Sequence, residues 1–198
     1  MNKITADTEF LIIGLGVIGG SYAEALSAKG YKVKAITKEQ KDIDYALKRK
    51  MISEGTTEVD ENIIKNADII IFALYPHILT EWLEKNQRLI RSGTLITDVT
   101  GVKSAVVPKI QSFLRPDLEF IASHPMAGRE SRGIEYADGN IFKAANFIVT
   151  PTEKNTREAI EICKRLGETL GFSRISELSI EEHDKMIGFL SQLTHCIA

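Results

Sequence analysis

Three short stretches of the chain bring together residue types that can do chemistry. The first is FLIIGLGVIGGSY, residues 10–22, in which Gly14, Gly16 and Gly19 fit a Gly-x-Gly-x-x-Gly spacing between an apolar run and a helix-like pattern. A dinucleotide needs each of those glycines: one for a tight turn, one so that a pyrophosphate can approach the backbone, one for close helix–strand packing. The pyrophosphate then rests on the helix N-terminus, where free N–H groups and the dipole favour an anion. Gly14, Gly16, Val17, Ile18 and Gly19 are therefore expected to hold the cofactor. Two rivals share the pattern, a purely structural turn and a methyltransferase site for S-adenosylmethionine; the third glycine and the long helix after it argue against the second.

The nucleotide preference is read about 20 residues on, where NAD enzymes usually place an acid for the ribose hydroxyls. Here Thr37 takes that place and Lys38 follows, and a hydroxyl with an ammonium suits a 2′-phosphate. The pair points toward NADP rather than NAD, unless Lys38 is only a solvated loop lysine or the register shifts by two and Glu39 reaches the ribose. The second stretch, TDVTGVK at 97–103, follows another apolar run; Asp98 and Lys103 are candidates for the cofactor crevice, or else a turn cap and an exposed lysine. The third, IASHPMAG at 121–128, puts His124 at a strand's carboxyl end beside Pro125. Its side chain titrates near operating pH and suits general acid–base work, or it is a turn residue.

Elements must hold these groups in place. Predicted strands are Phe10–Ile13, Lys32–Ile36, Asp68–Ala73, Thr94–Thr97, Phe120–Ser123, Asn146–Val149 and Ser173–Ile175; predicted helices are Val17–Lys29, Glu39–Arg49, His77–Arg91, Ser104–Leu114 and Lys154–Leu170. Pro108 is placed to kink the fourth helix, and Gly30 to cap the first. The alternation predicts a doubly wound α/β fold with a mostly parallel sheet. At the end, Ser179 to Glu182 reads as a capping box, with Met186, Leu190, Leu193 and Ile197 tracing one stripe. That pattern still runs at Ala198, which is expected either to dock as it stands or, the favoured reading, to be cut in mid-helix.

Composition narrows the partners. The 198 residues carry 25 Lys and Arg against 27 Asp and Glu, a formal charge of -2, so neither nucleic acid nor an anionic membrane is expected and a small molecule is. Cys163 and Cys196 lack zinc-site spacing and read as reduced thiols, with no metal expected. No signal-peptide core opens the chain, and the longest apolar run, Ile69 to Leu74, is far short of a span. A cytoplasmic protein is expected.

With these pieces in view, the chain resembles the prephenate/arogenate dehydrogenases of tyrosine biosynthesis. The resemblance rests on GLGVIGGSYA, TDVTGVK, SHPMAGRESRG, NIFKAANFIVTP and EEHDKMIGFLSQLTH, in the family's order from residue 10 to the C-terminus. It implies a Rossmann-like domain over residues 1–176, and from 177 the first helix of a helical domain that completes the site and forms a homodimer. It also implies oxidative decarboxylation with NADP or NAD, in which His124 is the catalytic histidine on the ring hydroxyl and His195 lies at the substrate's polar end. Two departures stand out: the family's Ser-His-Leu-Pro-His reads Ser191-Gln192-Leu193-Thr194-His195, and the serine that partners the catalytic histidine is Gly101, leaving Thr100 to supply a hydroxyl.

Arg129 and Arg132 are candidates for substrate carboxylates, or exposed arginines. His77 reads as a helix-start residue that lies near the cofactor if it is functional, and His183, amid Glu181, Glu182 and Asp184, as a surface histidine. Rival functions are another Rossmann-type dehydrogenase or imine reductase, or a cofactor-binding fragment without turnover. Nothing in the residues separates prephenate from arogenate.

Overall fold

The protein is described here by a computed structural model covering residues 4–128 and 130–189. Its centre is a sheet of six parallel strands, β1 (Glu9–Ile13), β2 (Lys32–Ile36), β3 (Glu54–Thr56), β4 (Ile69–Phe72), β5 (Leu95–Asp98) and β6 (Glu119–Phe120), in the order β3-β2-β1-β4-β5-β6. Alternate residues of β1 feed opposite faces: Phe10 and Ile12 join one core, Leu11 and Ile13 the other. Helices α1 (Val17–Ser27), α2 (Gln40–Lys48) and α6 (Arg157–Leu170) cover the first core, and α3 (Glu61–Lys65), α4 (Pro76–Asn86) and α5 (Val107–Phe113) the second. With both faces covered, β1 and β4 become nearly unbroken apolar runs. The order reverses between β1 and β4, so the crevice at their carboxyl ends is where such a sheet takes a ligand.

The chain then leaves this sheet. The predicted strand Phe120–Ser123 is two strands: β6 ends at Phe120, Ile121 donates to Ile96 O at 2.9 Å, and β7 (Ala122–Pro125) pairs antiparallel with β8 (Asn146–Thr150). β9 (Arg174–Glu177) adds parallel to β8, completing a three-stranded second sheet.

Smaller differences have local causes. β3 and α3 were not expected, being short and largely polar. Helix α5 starts at Val107, which puts Pro108 in its first turn, where a missing N–H costs nothing, so no kink forms. Gly30 does follow the end of α1, with φ +85. The capping box is present: Ser179 Oγ accepts from Glu182 N at 3.1 Å and Glu182 Oε2 from Ser179 N at 2.8 Å, opening α7 (Ile180–Ile187). This helix turns His183 and Ile187 inward; Leu190, Leu193 and Ile197 lie outside the described residues. Among the described residues no helix is long and apolar enough to cross a membrane.

Candidate active site

The glycine loop divides its labour as the spacing requires. Gly14 sits at φ +101, and a Cβ there would stand 2.5 Å from Ala73 O. A Cβ on Gly19 would meet Gly14 O at 1.9 Å, so α1 can lie this close to β1 only without a side chain. Gly16 differs: it is the N-cap of α1, and a Cβ on it would find nothing within 4 Å. The first turn of α1 holds no acid and receives no side-chain cap. A bare, open helix start of this kind fits a pyrophosphate. It opens on a cleft of about 560 Å³, bounded by residues 14–19, the end of β2 at 37–39, the segment 73–75 after β4, Val99, and part of 128–133.

Beside the glycine loop, Thr37 Oγ1 accepts from Leu15 N at 3.3 Å and so braces it. Lys38 and Glu39 are exposed next to it, and Asp42 and Arg132 also line the cleft. Burial raises the Asp42 carboxyl, Lys41 works against it, and Glu39 and Glu135 push it further up. Cations and carboxylates thus share the lining of the cleft.

Asp98 and Lys103, expected in the cofactor crevice or else as a turn cap and an exposed lysine, form a buried ion pair, each 0% exposed, and Asp98 Oδ2 does cap its turn by accepting from Thr100 N at 3.1 Å. Lys103 Nζ lies 2.9 and 2.8 Å from the two Asp98 oxygens and donates to Ser123 O at 2.6 Å. Asp98 Oδ1 also accepts from Ser123 N at 3.0 Å. The reason is geometric: the loop from 99 to 102 wraps Lys103 back under the end of β5, leaving neither side chain any surface toward the cleft. Burial lowers the Lys103 ammonium, opposed by Asp98. Thr100, expected near the substrate, is buried as well; its hydroxyl bonds the Asp98 carboxylate, with Val102 O at 3.1 Å. These groups form a polar post joining β5 to β7.

On that post stands His124, half-buried on β7. A Cβ on Gly101 would stand 3.7 Å from both its Nε2 and its Cε1, so the ring edge faces a glycine where a side chain would fit. The other nitrogen meets a group expected at the surface. His183 is 0% exposed, and its Nε2 lies 2.9 Å from His124 Nδ1, the ring planes inclined by 63°. His183 Nδ1 lies 2.7 Å from Asp184 Oδ1. Asp184 also accepts from Lys103 N at 3.0 Å, from Ser104 N at 2.8 Å and from the Ser104 hydroxyl.

Burial, with Lys103 and His183 adding to it, pushes His124 down to about 3. Burial also lowers His183, against the pull of Asp184. For Asp184, burial acts upward but the hydrogen bonds from Ser104, His183 and Lys103 win, holding it at about 2. The acidic neighbours of His183 hid it. The capping box held the clue, because fixing the start of α7 sets the phase that turns residues 183 and 187 to one inward face.

Among the other candidates, Arg132 lines the cleft, while Arg129 and His195 lie outside the described residues. His77 is exposed at the start of α4, stacked 6.5 Å from Tyr75, and it is Tyr75 that lines the cleft.

The family model described as prephenate dehydrogenase, nucleotide-binding domain, matches residues 22–175, just past the glycine loop. The prephenate dehydrogenase of Lactococcus lactis subsp. cremoris is 30% identical over 192 residues, 96% of this chain and 52% of that protein. An Aquifex aeolicus prephenate dehydrogenase solved with hydroxyphenyl propionate and NAD+ superposes with a TM-score of 0.89 at 28% identity, covering 98% of this chain and 68% of the other. A Synechocystis arogenate dehydrogenase gives 0.86 at 27% identity, covering 94% and 65%. The chain spans about half the length of curated prephenate dehydrogenases that it matches. With the glycine loop, the two-sheet frame and the family match in agreement, the chain belongs to the prephenate dehydrogenase family and carries its nucleotide-binding domain.

Proposed function

We propose that this chain forms the nucleotide-binding and proton-accepting part of an enzyme that oxidatively decarboxylates prephenate or arogenate with NADP or NAD. The product is 4-hydroxyphenylpyruvate or tyrosine. The observation that carries the reading is His124 Nε2, turned toward Gly101 on the loop that also brings Val99 to the cleft wall. The relatives' names support it, as does the Aquifex protein's complex with NAD+ and a hydroxyphenyl acid.

When bound, the nicotinamide supplies the hydride acceptor. The chain's own work is positional and acid–base. Gly16 and the first turn of α1 receive the pyrophosphate. His124, kept neutral by burial, accepts a hydrogen bond from the ring hydroxyl through Nε2. As the carbon bearing that hydroxyl becomes carbonyl-like, the oxygen turns acidic and its proton passes to Nε2. Arg132 on the cleft wall offers a guanidinium to a carboxylate. Steady-state oxidation of prephenate, arogenate and small β-hydroxyacids, each with both cofactors, tests the reading. Turnover of a cyclohexadienyl substrate with release of carbon dioxide supports it; turnover of β-hydroxyacids alone overturns it.

A further inference from the structure

We propose that His183 and Asp184 form a relay that fixes the tautomer of His124 and carries its proton away, in the place left open by the missing serine at Gly101. The proposal rests on the function above for its catalytic consequence, though not for its geometry.

The chain of donors admits one arrangement. Asp184 is an ionised carboxylate and can only accept, so His183 Nδ1 must hold the hydrogen across the 2.7 Å contact. A neutral His183 then has its lone pair on Nε2. Across 2.9 Å, His124 Nδ1 must donate to it. The remaining nitrogen, His124 Nε2, is left with a lone pair facing Gly101. The base is thus aimed by its far side, with no need of a hydroxyl on the near side. Thr100 does not substitute, since its hydroxyl is bound to Asp98.

The relay also answers a problem of charge. Burial and the nearby Lys103 make His124 a poor resting place for a proton. As the ring hydroxyl's O–H bond breaks and Nε2–H forms, the Nδ1 proton can shift to His183 Nε2. The positive charge then lies on the imidazole that touches Asp184; a nicotinamide nucleotide, when bound, would supply the acceptor for the hydride. His183 is enclosed but Asp184 is 24% exposed, so the relay runs from the interior toward solvent. The charged or titratable groups facing His124 are Asp98 from β5, Lys103 from the loop before α5, and His183 and Asp184 from α7. Asp184, by also holding Lys103 N and Ser104, fixes α7 to the loop that carries Gly101.

Nitrogen-15 NMR of the histidine side chains tests the relay without substrate. In the wild type, His124 should be protonated at Nδ1 and bare at Nε2. His183→Phe should mix the two tautomers and lower kcat by about 10-fold or more, and His183→Gln, whose carbonyl oxygen can accept from Nδ1, should restore the single tautomer. With the second imidazole gone, the pH profile of kcat in His183→Gln should shift even though its tautomer is restored. A wild-type spectrum with the proton on Nε2, or one unchanged by His183→Phe, overturns the relay. Should no substrate turn over, the functional reading falls, and the nitrogen spectrum still decides the relay.

Discussion

Gly19 and Gly14 touch backbone to backbone across the start of α1: a Cβ on the former would stand 1.9 Å from the carbonyl oxygen of the latter. Gly16, two residues from Gly14, would place its Cβ in open space. Gly19→Ala should therefore cost about 1–3 kcal/mol of stability through overpacking, whereas Gly16→Ala should cost under about 1 kcal/mol and act mainly by crowding the pyrophosphate. Thermal melts with calorimetric titration of the cofactor separate the two; equal melting points would contradict the division.

His124→Asn should lower kcat by roughly 100- to 10,000-fold, the usual contribution of a positioned general base. Cofactor affinity should hold, because the glycine loop forms it on another sheet. Near-normal turnover would remove His124 from the chemistry.

Lys103→Met leaves the Asp98 carboxylate buried without its partner, which should cost about 3–5 kcal/mol. Adding Asp98→Asn should recover part of that loss. Urea denaturation of the single and double variants checks it, and a double variant no better than the single would show that the charge pairing is not what matters.

Stability should also follow the titration of His124. Its value in the fold lies well below the ordinary 6.5, so the unfolded chain takes the proton first. The contribution is complete above about pH 6.5 and is lost progressively as pH falls toward 3, at up to about 1.4 kcal/mol per pH unit. Asp184, at about 2 against 3.8, adds a further loss below about pH 4. Denaturation midpoints at pH 7.5, 6 and 5 measure the slope, which His124→Asn should flatten; an unchanged slope would assign it elsewhere.

Lys38 and Glu39 stand on the same wall of the cleft, so removing either should move cofactor preference in opposite directions. Lys38→Ala should favour NAD and Glu39→Ala should favour NADP, each by several-fold, through the charge offered to a 2′-phosphate. The ratio of kcat/KM values for the two cofactors reads this directly. Parallel shifts in the two variants would place the phosphate away from this wall.

The sequence was most legible where periodicity and backbone need coincide. β1, the glycine loop and α1 follow from the apolar run, the glycine spacing and the helical pattern. β3 and α3 left no such trace, because Glu-Gly-Thr and a five-residue turn carry too few apolar positions to set a period. The break at Ile121 was invisible for the opposite reason: the run from Phe120 to Ala122 is apolar on both sides of it, and hydrophobicity records burial, not which sheet a strand joins. For Asp98 the turn cap was legible, but its buried pairing with Lys103 was not, since spacing along a loop does not reveal which way it wraps. His183 was masked by its charged neighbours, though the start of its helix was read correctly from Ser179.

The change of sheet at Ile121 makes the site a lever. The glycine loop hangs on the six-stranded sheet, His124 on the three-stranded one, and three residues of strand, about 10 Å, separate the base from the point of departure. A swivel of only about 5° between the sheets would carry the imidazole nearly 1 Å, a displacement that can cost a hundredfold in rate. Lys103, tied at once to Asp98 of one sheet and Ser123 of the other, grips the arm one residue short of the base, where a short, stiff tether meets most of the swing and holds the imidazole true.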